Sequence, residues 1–289
     1  MRLFKLQLDK IYQQDCLSFM ERLGQKVFPV MVSSPPYNSD VPYSEYVDLK
    51  DRETYVDWMG QVAKAAKGVL QDDGSFFLNF GSRPSDPWLG WDVARAFGSH
   101  FELQNVIHWV KHISIPKDSQ ARNGMNGDFS FGNFRPMNSK TYLNQCQEYI
   151  FHFTKQGDVP LDKLAIGVPY QHKSNVRRWK VKGKDLRDRG NVWFIRYPNK
   201  QTKYQRVLHP AEFPEKLPYL CLKLHGVNSR IVCYDPFMGV GNTALACMNL
   251  GVHFVGTEID PNYVRIANRR IGQRRKALQA SSQRKRLAA

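Results

Sequence analysis

The sequence predicts an α/β fold in which a largely parallel sheet carries helices on its faces. Three observations support this. Short apolar runs with strand character recur along the chain, segments with helical apolar spacing separate them, and several of the changes fall at Gly-, Pro- or Asp-containing turns. The 289 residues suffice for one large domain or two small ones with a sizeable core. No internal repeat interrupts the alternation.

Taken in order, Leu17 to Leu23 reads as a helix and Val30 to Ser33 as a buried strand. Tyr55 to Leu70 places Val56, Met59, Val62, Ala63, Ala66 and Val69 at helical spacing. Asp72-Asp73-Gly74 then turns into the strand Ser75 to Phe80, followed by a helix over Trp91 to Phe97 and a strand over Val106 to Val110. Lys117 to Lys140, rich in Gly, Asn, Ser and Phe, breaks the pattern and reads as a long irregular loop. Glu148 to Phe153 resumes as a strand. The stretch from Lys155 to Val207 has no clear period and reads as an inserted module. Pro218 suits the first turn of a helix ending near Leu224. After it come strand Ile231 to Tyr234, helix Thr243 to Leu250, strand Phe254 to Thr257 and helix Tyr263 to Ile271. Ser281 to Ala289 reads as a solvated or frayed basic arm.

Composition narrows the class of function. At 42% hydrophobic residues the chain is expected to be globular, and no apolar stretch approaches the roughly 18 residues of a membrane span. The segment Met1-Arg2-Leu3-Phe4-Lys5 lacks the apolar core of a signal peptide. Cys16, Cys146, Cys221, Cys233 and Cys247 form no C-x-x-C pair, which favours buried thiols in a reducing cytoplasm over a disulfide frame or a metal site. The net charge of +16 points to a polyanionic partner, with nucleic acid foremost. Between Gln171 and Val207, 12 Lys and Arg residues face only Asp185 and Asp188, and Trp179, Trp193, Tyr197 and Tyr204 are interleaved among them. Arg177, Arg178 and Lys180 are the candidate DNA-binding residues there, with solvated surface charge as the plain alternative.

Two motifs carry chemistry. Ser34-Pro35-Pro36-Tyr37 follows the first buried strand. Its prolines fix φ and contribute carbonyls without N–H donors, Ser34 adds a hydroxyl, and Tyr37 adds a flat ring. Such an acceptor cluster beside a stacking surface suits a planar ligand bearing an exocyclic amino group; a Pro-Pro turn with a packed tyrosine is the alternative. The second motif, Asp235-Pro236-Phe237-Met238-Gly239-Val240-Gly241-Asn242-Thr243, lies between a strand and a helix. Glycines there let backbone approach a ligand at a helix N-terminus. Glu258 ends the next strand, where a carboxylate can accept hydrogen bonds from ribose hydroxyls. Gly239 to Ala244 also fits the dinucleotide fingerprint of a nicotinamide dehydrogenase. That reading lacks a second mononucleotide half and leaves both Ser34 to Tyr37 and the basic module unexplained. A nucleoside-bearing cofactor without pyrophosphate, S-adenosylmethionine, fits better.

With both motifs in hand, the chain resembles the β-class amino-group DNA methyltransferases, in which the catalytic motif precedes the target-recognition region and the cofactor motif comes last. Ser34 to Tyr37 matches their S/D/N-P-P-Y, Asp235 to Gly241 their D-P-F-x-G-x-G, and His209-Pro210-Ala211-Glu212-Phe213-Pro214 their H-P-A-x-F-P. Asn242 departs from the threonine or serine frequent in the family. The resemblance implies the seven-stranded S-adenosylmethionine-dependent methyltransferase sheet with an inserted target-recognition region. It divides the chain into a catalytic half (1–154), a basic target-recognition region (155–207), a cofactor-binding half (208–275) and a basic tail (276–289). It also implies Ser34, Pro35, Pro36 and Tyr37 as catalytic residues. Asp15, Asp235, Phe237, Gly239, Gly241, Asn242, Thr243 and Glu258 are the implied cofactor residues, with Asp15 near the adenine.

Serine at the first catalytic position is similar to the cytosine-N4 enzymes, whereas aspartate or asparagine is commoner among adenine-N6 enzymes. No Pro-Cys dipeptide is present, so the nucleophile of cytosine-C5 enzymes is missing. The expected reaction is a direct displacement on a base flipped out of the duplex. Tyr37 stacks on that base, while Ser34 Oγ and the Pro35 carbonyl accept from its amino group. Double-stranded DNA is the expected partner, with a companion restriction endonuclease admitted by the resemblance and a monomer or homodimer as the assembly. An RNA methyltransferase and a non-enzymatic DNA-binding protein are the competing readings.

Overall fold

A computed structural model describes residues 5–117, 128–132, 138–178, 185–197, 212–228 and 230–287, without the side chains of Arg177 and residues 285–287. Its strands are β1 (Lys10–Gln13), β2 (Phe28–Ser33), β3 (Leu70–Phe80), β4 (Glu102–Val110), β5 (Ile113–Ile115), β6 (Phe129–Phe131), β7 (Gln147–Thr154), β8 (Val192–Phe194), β9 (Val232–Asp235) and β10 (His253–Glu258). The helices are α1 (Cys16–Glu21), α2 (Arg52–Val69), α3 (Leu89–Gly98), α4 (Ser174–Arg178), α5 (Lys216–His225), α6 (Asn242–Leu250) and α7 (Pro261–Leu287).

One sheet organises the molecule, in the order β1-β10-β9-β2-β3-β7-β4-β8. The five strands from β1 to β3 are mutually parallel; β7 is antiparallel to both β3 and β4, and β8 runs parallel to β4. Alternation along each strand divides the core between the two faces. Val30, Val32 and Phe77 pack on the face covered by α5, α6 and α7, with Leu217, Leu220 and Leu245. Met31, Phe76 and Leu78 pack on the opposite face, covered by α1, α2 and α3. In α2, Tyr55, Met59, Val62, Ala63, Ala66 and Val69 form the buried stripe, and the Asp51 side chain caps the helix by accepting from Thr54 N–H.

The sheet has eight strands where seven were expected, and the additional one comes from within the basic stretch 155–207. In β8, Trp193 turns inward, is almost wholly buried, and donates its indole N–H to the Gly190 carbonyl at 3.0 Å, while Val192 and Phe194 point outward. Its ring therefore belongs to the core, not to a nucleic-acid surface. Asp72-Asp73-Gly74 does not end a turn before a new strand. The ladder with β2 pairs Phe28 with Leu70 and then Val30 with Ser75, so the intervening residues bulge out of a continuous strand. Helix α7 does not stop near Ile271 but continues to Leu287, because the run after Gly272 is rich in Arg, Lys, Gln and Ala and lacks proline. Within the stretch Lys117 to Lys140, Phe129–Phe131 form β6, which pairs with β5 in a separate two-stranded ladder.

Candidate active site

The parallel strands β1, β2, β3, β9 and β10 end on one edge of the sheet, and both sequence motifs begin there. From β2 the sheet grows one way through β3 and the other way through β9 and β10. The seam between β2 and β9 is thus a topological switch point, where a crevice opens beyond the carboxyl ends of the strands. A cavity of about 250 Å³ occupies it, lined by Ser34 to Tyr37 on one side and by Phe237, Gly239 and Glu258 on the other. Two segments separated by about 200 positions in the sequence therefore share one chamber.

On the cofactor-motif side, Gly239 and Gly241 both hold positive φ, at 52° and 89°, which side-chain-bearing residues rarely adopt. A Cβ on Gly241 would also lie 3.1 Å from Ala267 Cβ. Glu258 Oε2 accepts from Gly239 N–H at 2.8 Å and its Oε1 from Asp260 N–H at 2.9 Å, while burial raises its carboxyl above the usual carboxylate range. Asp15 lines the same cavity and caps α1, accepting from Ser18 N–H at 3.0 Å. Phe237 meets Trp58 edge-on, with ring centroids 5.6 Å apart.

The structure distributes the expected cofactor residues over two depths. Asp235, Gly241 and Thr243 stand behind the cavity wall instead of lining it. Asp235 is fully buried and accepts from Ser33 Oγ (2.6 Å), Thr243 Oγ1 (2.5 Å) and Phe237 N–H (3.0 Å). Burial pushes its carboxyl up to about 6. This carboxylate ties the end of β2, the end of β9 and the first turn of α6 together. Asn242 does line the cavity, and its side chain bridges elements: Nδ2 donates to the Phe213 carbonyl at 2.7 Å, and Oδ1 accepts from Arg270 at 2.7 Å.

On the Ser-Pro-Pro-Tyr side, the Pro36 carbonyl accepts from Tyr55 Oη at 2.5 Å, anchoring the turn to α2. Ser34 Oγ lies 2.7 Å from Tyr37 Oη, and the Tyr37 ring packs on Phe80 with centroids 4.7 Å apart. Sequence reasoning missed Asn79 and Glu148, which complete this corner. Tyr37 Oη donates to Glu148 Oε2 at 3.0 Å; Asn79 Nδ2 donates to the same carboxylate oxygen at 2.8 Å and also to Tyr37 Oη. Lys111, which has no role in the sequence reading, pairs with Glu148 Oε1 at 2.8 Å. A signal for Asn79 did exist, as a lone amide in the otherwise apolar run Phe76 to Phe80. Glu148 gave none, because only the antiparallel course of β7 brings its first residues to this edge.

Of the candidate DNA-binding residues, Arg178 is exposed on the short helix α4, and Arg177 lies in the same helix. Lys180 falls outside the described residues, as do Trp179, Tyr204 and His209. No group of His, Cys, Asp or Glu suited to a metal ion occurs among the described residues. Nor is any described helix long and apolar enough to cross a membrane.

Known proteins match this arrangement. A family model described as DNA methylase, for the N6 and N4 enzymes, matches residues 28–269. The type II methyltransferase M.BglII of Bacillus subtilis is 25% identical over 274 residues, spanning 91% of this chain and 69% of its own. The DNA adenine methyltransferase YhdJ of Escherichia coli is 22% identical, spanning 90% of this chain and 82% of its own. Among solved structures, the cytosine-N4-specific PvuII DNA methyltransferase superposes with a TM-score of 0.64 at 20% identity, covering 89% of this chain and 84% of that one. The Thermus thermophilus protein TTHA0409, solved in complex with S-adenosyl-L-methionine, superposes at 0.56 with 17% identity, covering 92% of this chain and 93% of that one. The matched span runs from the first buried strand through the glycine loop and Glu258 into the last helix, and the chain belongs to the N6/N4 amino-group DNA methyltransferase family.

Proposed function

We propose that this protein methylates the exocyclic N4 of cytosine in duplex DNA, with S-adenosylmethionine as donor. The observation that carries the reading is the single cavity that brings Ser34 and Tyr37 to the Gly239 loop and Glu258. The residues fit such a donor. Gly239, at positive φ in the wall, leaves backbone open to close approach, Glu258 retains lone pairs for ribose hydroxyls, Phe237 supplies an apolar wall, and Asp15 lines the same cavity. Bound there, the donor supplies an electrophilic methyl group.

The target base leaves the stack at a cost of roughly a few kcal/mol, and stacking on Tyr37 recovers about 1–3 kcal/mol. Ser34 Oγ and the Pro35 carbonyl accept from its amino group and hold the nitrogen toward the methyl carbon. Arg177, Arg178 and Lys180 contribute phosphate contacts, which position the duplex without reading its sequence. Serine at the head of the catalytic motif supports cytosine, as does the likeness to the cytosine-N4-specific PvuII enzyme. Adenine N6 is the second reading, favoured by the similarity to the adenine methyltransferase YhdJ.

The test is to methylate duplex DNA with labelled donor, hydrolyse it to nucleosides and identify the product by mass. N4-methylcytosine supports the assignment. N6-methyladenine overturns the choice of base, and full activity in both Ser34→Ala and Tyr37→Ala overturns the site. Transfer to RNA in preference to DNA, or no binding of the donor by calorimetry, overturns the substrate and the enzymatic reading respectively.

A further inference from the structure

The contacts around Tyr37 have a direction that donor and acceptor inventories set. Tyr37 carries one hydroxyl proton, and the Glu148 carboxylate that receives it at 3.0 Å is acceptor-only in its ionised form. The Tyr37 oxygen also accepts from Asn79 Nδ2. Ser34 Oγ, 2.7 Å from that oxygen, must therefore be the donor in their contact. Its proton points inward, toward Tyr37; Asn79 Nδ2 approaches one of its lone pairs at 3.4 Å, and the other remains for a donor in the cavity that Ser34 lines. That polarity suits an amino group and extends as a chain: Ser34 O–H to Tyr37 O–H to Glu148 Oε2.

The end of the chain is nearly dry. The Glu148 and Lys111 side chains are only 13% and 21% exposed, and burying such an ion pair carries a desolvation penalty that packing alone does not require. Lys111 grips Oε1, and Asn79 Nδ2 and Tyr37 both point at Oε2, so the oxygen at the end of the chain is held in place from two sides.

We propose that Glu148 is the terminal proton acceptor of the methyl-transfer reaction, reached from the substrate amino group through Ser34 and Tyr37. This rests on the reading that Ser34 meets the amino group of the target base. As the nitrogen lone pair forms its bond to the methyl carbon, the carbon–sulfur bond breaks and its electron pair stays on sulfur. The sulfonium becomes a neutral thioether, and the nitrogen acquires the positive charge. In the same step, as that charge develops, an N–H proton passes to Ser34 Oγ, the Ser34 proton to Tyr37 Oη, and the Tyr37 proton to Glu148 Oε2. The nitrogen ends neutral and Glu148 ends as the acid, so the charge brought in by the donor is cancelled inside the site. Glu148 returns the proton to water when the product leaves. Asn79 and Lys111 act as positioning residues.

Two variants test this. Glu148→Gln still accepts from Tyr37 but cannot take its proton, and Tyr37→Phe keeps the ring on Phe80 while cutting the chain in the middle. Single-turnover transfer to duplex DNA is measured in H2O and in D2O, alongside donor binding by calorimetry and thermal midpoints. The expected result is donor binding as in the wild type, a loss of about 100-fold in rate, and disappearance of the solvent isotope effect in both variants. Wild-type rate and isotope effect in either folded variant overturns the proposal, as does a slower rate with the isotope effect intact, which marks a structural role. Should Glu148→Gln fail to fold, Tyr37→Phe decides alone. A wild-type protein that methylates neither base would refute the proposed function instead, so the two failures are separable.

Discussion

Asp235→Ala separates framework from contact at the glycine loop. The carboxylate receives three buried donors, Ser33 Oγ, Thr243 Oγ1 and Phe237 N–H, and removing it leaves all three to find other acceptors. An unpartnered buried donor costs about 1–3 kcal/mol; with rotation holding the two hydroxyls to the lower end and the fixed Phe237 N–H costing about 1–2 kcal/mol, the sum is about 3–4 kcal/mol. At about 2.1 cal/mol/K of unfolding entropy per residue, a chain of 289 residues unfolds with roughly 0.6 kcal/mol/K, so the melting midpoint should fall by about 5–7 °C. Asp235→Asn keeps the oxygen that serves Ser33 and Phe237 and turns an amide toward the Thr243 hydroxyl, which can rotate to accept. Its cost is about 1 kcal/mol, or about 2 °C. Because Asp235 lies behind the cavity wall, the Asn variant should bind S-adenosylmethionine within about threefold of wild type, under ~0.7 kcal/mol. Scanning calorimetry and donor titration read both quantities. An Ala variant that melts with the wild type, or an Asn variant that loses donor binding at unchanged midpoint, refutes the reasoning.

Glu258→Gln keeps one acceptor oxygen but turns an amide NH2 against either Gly239 N–H or Asp260 N–H, a donor facing a donor. Donor affinity by calorimetry should fall by about 5- to 160-fold, the equivalent of ~1–3 kcal/mol, and an unchanged affinity would remove Glu258 from the site. A pH effect is expected on the far side of the sheet's edge, where His152 stacks on Phe77 and lies 3.0 Å from both Asn105 Nδ2 and Ser75 Oγ. Burial pushes its imidazole down to about 3, so the folded protein excludes a proton that the unfolded chain binds below about 6.5. The stability this provides is complete above pH 6.5 and declines as the pH falls toward 3, by about 2 kcal/mol at pH 5. Urea midpoints of wild type and His152→Gln at pH 7 and pH 5 measure the difference; equal slopes would contradict it. Burial also lowers His225, whose Nδ1 lies 3.1 Å from the same Ser75 hydroxyl, so the variant should reduce the slope without abolishing it.

Much of the scaffold was legible because its signals are local. The spacing of Met59, Val62, Ala63, Ala66 and Val69 can bury only as a helix face, and the apolar run before Ser34 can bury only as a strand. Boundaries moved where pairing or propensity over longer stretches took control, as in the bulge before Ser75 and the extension of α7 past Ile271. The basic stretch misled most at Trp193. An aromatic among lysines and arginines reads as a stacking surface, yet sheet pairing with Trp109 and burial make it core.

By itself the sequence determined the α/β class, the two motifs and their order, since each motif is a contiguous run whose chemistry and flanking periodicities are local properties. Only the tertiary structure decided which residues of those motifs face the chamber and which brace it: Glu258 and Gly239 in front, Asp235 and Thr243 behind. It alone also recruited Asn79, Lys111 and Glu148, from three different strands or strand ends, to the hydroxyls of Ser34 and Tyr37. The physical reason is the reversed course of β7. A strand that runs against its neighbours begins where they finish, so its opening glutamate arrives at the edge of Ser34 and Tyr37 by topology, through no pattern in the residues around it.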